Sequence, residues 1–249
     1  MDFVQSLERG LAVIQSFDAE HPDLTLSEVA ARTGLTRATA RRLLLTLSEL
    51  GYVSSNGRRF SLTPRVLDLG YAYLSSLNVQ QIAQPYLEAL SDRVHESVSV
   101  TVLDGTDIVY VARVPTKRIM TISLGLGSRL PAYCTSMGRV LLAELSPDDL
   151  AGALPGSLEQ HTEHTIGTVA ELAVVLKQVR VQGWALVDQE LEIGLRSVAA
   201  PLRDASGRAV AAMNVSTQVA RTSVEHIHEV LVPDLVATAA RISEALAKR

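Results

Sequence analysis

A single cysteine, Cys134, in 249 residues leaves the chain without an internal disulfide or a multi-cysteine zinc site. That usage suits a reducing compartment. No apolar run approaches the length of a membrane span, and Met1 to Gln5 does not begin a signal peptide. A cytoplasmic protein without a membrane partner is expected. No lysine occurs before Lys117, and the first 75 residues carry eight acidic and eight basic side chains. The net charge of −4 therefore arises after Ser75. A globally basic nucleic-acid coat is excluded, and any affinity of the N-terminal part for a polyanion must come from where its arginines stand. No internal repeat or low-complexity segment is apparent.

A hydrophobic content of 47% is ample for two cores, and the length suits one or two domains. From Thr25 to Gly51 the chain reads TLSEVAARTGLTRATARRLLLTLSELG. Thr25 with Glu28 forms a capping box, so a helix opens at Leu26 with Leu26, Val29 and Ala30 inward. Gly34 stops it. Thr36 caps a second helix whose Ala40, Leu43, Leu44, Leu47 and Leu50 share one stripe. At about 100° per residue, Arg37, Ala38, Arg41, Arg42 and Leu45 fall on the other face. Small Ala30 at the crossing and Gly34 at a positive φ describe a helix-turn-helix. Its second helix suits a major groove, where guanidinium pairs with guanine O6 and N7. On these residues alone, an αα-hairpin with merely solvated arginines is equally open.

The flanks favour DNA. Leu7, Leu11, Ile14 and Phe17 give a first helix over Val4 to Phe17, broken at His21-Pro22-Asp23. After the second helix of the pair, SSNGRRFSL offers Asn56-Gly57 as the type I′ turn of a hairpin, a wing with Arg58 and Arg59 at its tip. A winged helix follows, and neither wing arginine is required by structure. The candidate DNA contacts are Thr36, Arg37, Ala38, Thr39, Arg41 and Arg42 on the helix, with Arg58 and Arg59 on the wing.

Thr63 as cap and Pro64 at the first helical position start a helix over 63–77 that is apolar on more than one face, so part of it should meet another subunit or domain. From Asn78 to Glu96 a helical pattern is broken at Pro85. SVSVTVL and IVYVARV around the turn 104–107, with RIMTISLGLG as a third strand, suggest an antiparallel sheet. A helix begins near Thr135, another is capped by Thr168 with Glu171, and strands follow over 184–187, 195–203 and 209–217. Ser223 to Lys248 closes as a long helix. Strands and helices without a βαβ rhythm indicate an α+β fold.

Constellations for chemistry are sparse. His161 and His164 read as a polar loop without a third metal ligand, and His226 and His228 point different ways. Cys134 has no base beside it and reads as a structural or pocket-lining thiol. Asp188, Glu190 and Glu192 suit an exposed loop, with Asp188 alone, at a strand end, a pocket candidate. Thr135-Ser136-Met137-Gly138 differs, since a helix N-terminus after a Pro-containing loop presents unpaired N–H groups to which a carboxylate would fit. No metal and no cofactor are expected.

VQSLERGLAVIQSF, the helix-turn-helix, PRVLDLGYAYL, PAYCTSMGRVLLA and GWALVDQELEIGLRSVAAPLRDASGRAVAAMNVS together resemble the isocitrate lyase regulator (IclR) family over nearly the whole chain. LTRATARRLLLTLSELGYV and DIVYVARVPTKRIMT are similar to its branch governing the β-ketoadipate pathway for protocatechuate and 4-hydroxybenzoate. The resemblance implies a winged helix-turn-helix domain over 1–62, a dimerisation helix over 63–77 and a GAF-like effector domain with an antiparallel sheet over 78–249. It also implies ligand contacts at Ser136, Met137, Leu195, Ser197, Asn214 and Ser216, which join Cys134, Thr135 and Asp188 as candidates. The expected protein is a non-enzymatic, ligand-responsive regulator of aromatic-acid catabolism genes. Its partners would be double-stranded operator DNA and a small carboxylate, and its assembly a homodimer or dimer of dimers. The alternatives are a small-molecule-binding or hydrolytic enzyme with an accessory winged helix, and a winged helix used only for protein contacts.

Overall fold

The computed structural model describes residues 3–76, 79–116 and 124–248. The chain divides into two compact units, Met1–Ser76 and Leu77–Arg249.

The first unit contains α1 (Gln5–Gln15), β1 (Asp23–Thr25), α2 (Leu26–Thr33), α3 (Arg37–Glu49), β2 (Val53–Ser55), β3 (Arg59–Leu62), a 3-10 turn (Pro64–Val66) and α4 (Leu67–Ser76). The capping box at Thr25 and Glu28 forms, Gly34 takes φ 66° at the C-terminus of α2, and Thr36 caps α3 through the Thr39 N–H. Val13, Val29, Ala30, Ala40, Leu44 and Leu47 are buried in one core, with Leu24 and Val53 brought in by the strands. Two expected inward positions on α1 turn out instead. Leu7 and Leu11 are exposed while Val13 is fully buried, so an apolar stripe with Phe3 and Val4 is left on the surface. Leu50, just past the end of α3, is also exposed.

Strand β1 falls where only a helix break was expected; it pairs antiparallel with β3, which also pairs with β2. The wing turn is not type I′, because Gly57 but not Asn56 has a positive φ. Instead the Asn56 Oδ1 accepts from the backbone N–H groups of Arg58 and Arg59 at 3.1 and 2.9 Å, a side-chain mimic of a turn.

The second unit opens with α5 (Val79–Val94), which runs unbroken through Pro85. Pro85 and Gln81 lie on the exposed side, so the Gln81 carbonyl that loses its partner faces water. Strands β4 (Ser97–Asp104), β5 (Asp107–Val114), β6 (Arg129–Pro131), β7 (Ala185–Asp188), β8 (Leu195–Arg203) and β9 (Ala209–Gln218) form one antiparallel sheet in the order β6-β5-β4-β9-β8-β7. Of the third strand expected over 118–127, residues 118–123 lie outside the described residues and 124–127 are not strand; the edge is β6. The helices are α6 (Ser136–Glu144), α7 (Pro147–Gly152), which was not foreseen, α8 (Val169–Gln182), α9 (Val224–His226) and α10 (Val232–Ala247). A wide π turn, Ile227–Leu231, joins the last two just ahead of Pro233.

α6 and α8 pack together, α6 lying on β8 and β9, while α5 and α10 pack together against β4, β5 and β8. Successive residues Ser197, Val198, Ala199 and Ala200 are all buried, so both faces of the sheet are covered. Among the described residues no helix is long and apolar enough to cross a membrane.

Candidate functional site

Two surfaces concentrate the candidate residues. On α3, Arg37, Ala38, Arg41 and Arg42 are exposed, and Thr39 is half-buried with its hydroxyl 2.9 Å from the Thr36 Oγ1. The three arginines make no ion pair among the described residues, and neither does exposed Arg58 on the wing. Their guanidinium groups are open to a polyanion. Arg59 is different and corrects the sequence reading: its Nε donates to Asp23 Oδ1 at 2.8 Å, its Nη2 to the Asp23 carbonyl at 2.9 Å, and Glu28 stands 3.6 Å away. It braces β1 against the wing.

The second surface is an interior cavity of the other unit, of about 40 Å³. That is room for a few water molecules and well short of the roughly 300–1,000 Å³ of formed small-molecule pockets, so a ring-sized ligand must push its wall outward. Cys134, Thr135, Ser136 and Met137 enter it from the start of α6, Leu195 and Ser197 from β8, and Asn214 and Ser216 from β9. Alternation in the two strands explains the last four, since each pair shares one face. Of the residues singled out in the sequence, only Asp188 is not in the wall. Its carboxylate accepts from Arg196 Nε at 2.8 Å. Arg196 also donates to the Thr222 carbonyl.

Tyr110, Leu124, Leu130, Val187 and Leu191 complete the wall. Sequence reasoning missed them because an apolar residue lining a cavity carries the same pattern as one in a core. Parity could have found Val187, which pairs directly with Ser197 in the sheet.

The polar end is a connected cluster. Ser136 and Ser197 Oγ atoms lie 2.7 Å apart, and the Asn214 Nδ2 donates to Ser197 and Ser216 Oγ, each at 2.9 Å. Asn214 is 3% exposed and its Oδ1 has no partner. A 180° flip of the amide would let the serine hydroxyls donate to the oxygen and turn the NH2 toward the open side. The cluster thus has one amide edge to offer a ligand in either orientation. The Ser136 and Met137 N–H groups belong to the first turn of α6 and have no intrahelical acceptor. Thr135 Oγ1 takes the Gly138 N–H instead. Gly138 permits the tight entry into α6, for a Cβ there would stand 2.1 Å from the Ala132 carbonyl oxygen. No lysine or arginine lines the cavity among the described residues, so an anion there would be held by dipoles and hydroxyls.

Nothing in the cavity activates a nucleophile. Ser136 is bonded to a serine rather than to a base. Burial, aided by the Glu190 carboxylate, pushes the Cys134 thiol up to about 12, and burial does the same to the Tyr110 phenol. Glu190 lies in a loop as expected, but the expected exposure is corrected. It is buried and paired at 2.5 Å with buried Arg139, whose Nε holds the Tyr133 carbonyl. His161 stacks on Tyr133, and its Nε2 lies 3.1 Å from the Tyr133 hydroxyl. Among the described residues no group of three or more His, Cys, Asp and Glu could hold a metal.

Comparison with known proteins matches the chain to one family. Residues 6–57 match the IclR helix-turn-helix domain, and residues 71–244 match the bacterial transcriptional regulator IclR C-terminal domain. The Pca regulon regulatory protein of Pseudomonas putida is 48% identical over 95% of this chain and 82% of its own length. The p-hydroxybenzoate hydroxylase transcriptional activator of Acinetobacter baylyi is 34% identical over 96% of this chain and 90% of its own. A solved inducer-binding domain of the transcription factor PobR from Acinetobacter, a double mutant in complex with 3-hydroxybenzoic acid, is 30% identical with a TM-score of 0.62, covering 66% of this chain and 97% of that one. With an unpaired arginine face on a helix-turn-helix and a buried polar pocket in the second unit, the chain belongs to the IclR family of bacterial transcriptional regulators.

Proposed function

We propose that this regulator controls genes of aromatic-acid catabolism and senses a small carboxylate of the protocatechuate, 4-hydroxybenzoate or β-ketoadipate type in the cavity at the start of α6. The Pca and p-hydroxybenzoate regulators among its relatives support the pathway. The cluster at Asn214 carries the site: a buried amide with an unpartnered oxygen lines the same cavity as Ser136 and Met137, whose N–H groups open α6. A carboxylate gains about 0.3–1 kcal/mol from a helix N-terminus when exposed, rising toward ~2 kcal/mol when partly buried. Tyr110, Met137, Leu191 and Leu195 supply the apolar wall for a ring or chain. The assigned contacts are Cys134, Thr135, Ser136, Met137, Leu195, Ser197, Asn214 and Ser216.

Calorimetry with the full-length protein tests the site. Protocatechuate or 4-hydroxybenzoate should bind the natural protein, and Ser136→Asp should abolish binding by setting a negative charge against the carboxylate. Failure of every such acid to bind, or equal binding by the variant, would refute the site.

For DNA, the reading assigns groove contacts to the α3 face from Thr36 to Arg42 and a phosphate contact to Arg58. Assembly falls to exposed apolar side chains: Leu67, Leu69 and Tyr71 on α4, and Phe3, Val4, Leu7 and Leu11 on and just before α1. A two-fold dimer pairing these faces sets two recognition helices on an inverted repeat. The protein acts as a dimer or dimer of dimers in the cytoplasm. Light scattering that finds a monomer with and without DNA would refute this assembly.

A further inference from the structure

One buried ion pair lies beside the cavity and plays no part in binding as described so far. Arg139 and Glu190 are 2% and 7% exposed and meet at 2.5 Å. Arg139 stands one turn after Ser136 on α6. Glu190 lies in the connection 189–194 between β7 and β8, and the next residue, Leu191, is part of the cavity wall. The connection is internally tied: Gln189 N–H donates to the Leu195 carbonyl at 2.8 Å, and Gly194 N–H to Gln189 Oε1 at 3.1 Å. Its two ends, Gln189 and Gly194, have positive φ values of 61° and 86°. A short tied segment between two such ends can swing as a unit.

At the Gly194 end the carbonyl accepts from the Val219 N–H at 2.9 Å, and the bonds of the Glu190 end run to a second loop. Thr162 Oγ1 donates to the Gln189 carbonyl, Thr165 Oγ1 to the Glu190 carbonyl, and the Ile166 N–H to Glu190 Oε2. These join loop to loop. What fastens the two loops to the start of α6 is the Arg139–Glu190 pair, with the Tyr133 hydroxyl donating to the Glu159 carbonyl. Arg139 governs both fastenings, because its Nε also holds the Tyr133 carbonyl.

We propose that the Arg139–Glu190 pair is a latch that keeps the 189–194 connection, and with it Leu191, across the cavity, making both side chains positioning residues for ligand entry and release. A buried ion pair is weak as a device for stability, since apolar groups of similar volume often serve as well. As a fastening it has directional bonds and a defined broken state. A ligand at the first turn of α6 would act on the helix that carries Arg139. The latch deepens the reading of this cavity as the effector site, but its first test needs no ligand.

Cys134 is the chain's one cysteine, fully buried in the cavity wall, so its alkylation by iodoacetamide reports opening. Glu190→Asp keeps the charge balance and shortens the side chain by one methylene. Arg139→Met with Glu190→Gln removes both charges, whose effects on the thiol oppose each other. With melting temperatures near that of the natural protein, both variants should alkylate about tenfold faster or more, as local opening becomes easier. Stopped-flow release of 4-hydroxybenzoate should accelerate in parallel. A merely structural pair would change melting but not the rate at matched stability. Alkylation of folded Glu190→Asp at the natural rate would overturn the latch, even if the double variant fails to fold. If the natural protein binds neither 4-hydroxybenzoate nor protocatechuate, the effector reading fails while the alkylation comparison still decides the latch.

Discussion

Arginine is used in opposite ways in the two units. In the C-terminal unit, Arg129, Arg139, Arg196, Arg203 and Arg221 each face a carboxylate, and Arg180 is spent on the Ala143 and Leu145 carbonyls. In the N-terminal unit Arg37, Arg41, Arg42 and Arg58 stand exposed with no ion pair among the described residues, although that unit holds as many acids as bases. Three of its acids are used elsewhere, Asp18 pairing with Arg32, Asp23 with Arg59, and Glu28 capping α2, while the one acid on α3, Glu49, stands at its far end. A surface that reads DNA thus need not be basic overall. It needs its carboxylates committed away from the reading helix, so that counterion release on binding phosphate is not offset by broken internal pairs.

The sharpest way to break this contrast is to remove the free arginines. Replacing Arg37, Arg41 and Arg42 together by alanine should cost more than the about 1–3 kcal/mol expected for one base-reading arginine, with near-natural melting. Fluorescence anisotropy on operator DNA measures it, and unchanged affinity would remove α3 from the interface. Next in size is Gly138→Ala, whose methyl group meets the Ala132 backbone. We expect a loss of about 1–3 kcal/mol in urea unfolding, together with loss of acid binding. A stable variant that still binds would show that the close approach is dispensable.

The wing sets the two uses of arginine on adjacent residues, Arg58 and Arg59. Arg58→Ala should flatten the slope of log affinity against log salt by about one for every sequence tested. Arg59→Ala should instead lower stability by about 0–1 kcal/mol, as for an exposed pair. Reversed outcomes would exchange their roles. A last comparison concerns pH. Cys134 is raised from 9.0 to about 12 by burial, so above pH 9 the unfolded chain loses this proton first. Stability present at neutral pH is therefore lost as pH rises toward 12. Urea titrations of Cys134→Ala should show a shallower alkaline decline, and an identical curve would contradict the assignment.

Much of the DNA-reading unit was legible because its rules are local. Thr25 with Glu28, Gly34 and Thr36 mark helix ends within a few residues of themselves, and the caps stand where those signals place them. The α6 entry and the Ser197, Asn214 and Ser216 parity were readable for the same reason. What escaped depends on partners distant in sequence. Arg59 meets Asp23 across 36 residues, and Glu190 meets Arg139 across 51, so the first read as a DNA contact and the second as an exposed loop carboxylate. Strand β1 is three residues long and exists only because β3 presents an edge to it. Leu7 and Leu11 kept a helical spacing but point outward, since spacing defines a face without saying what covers it.

An acid bound at the start of α6 is expected to change the hold on DNA, which requires unequal affinity for the two states of the protein. The direct measurement is anisotropy of the full-length protein on operator DNA selected from random sequence, with and without protocatechuate or 4-hydroxybenzoate at concentrations that calorimetry shows to be saturating. A change in apparent Kd of about 5-fold to 150-fold is expected. Ser136→Asp should keep the acid-free DNA affinity and lose that change. Identical Kd values with and without a saturating acid would contradict it.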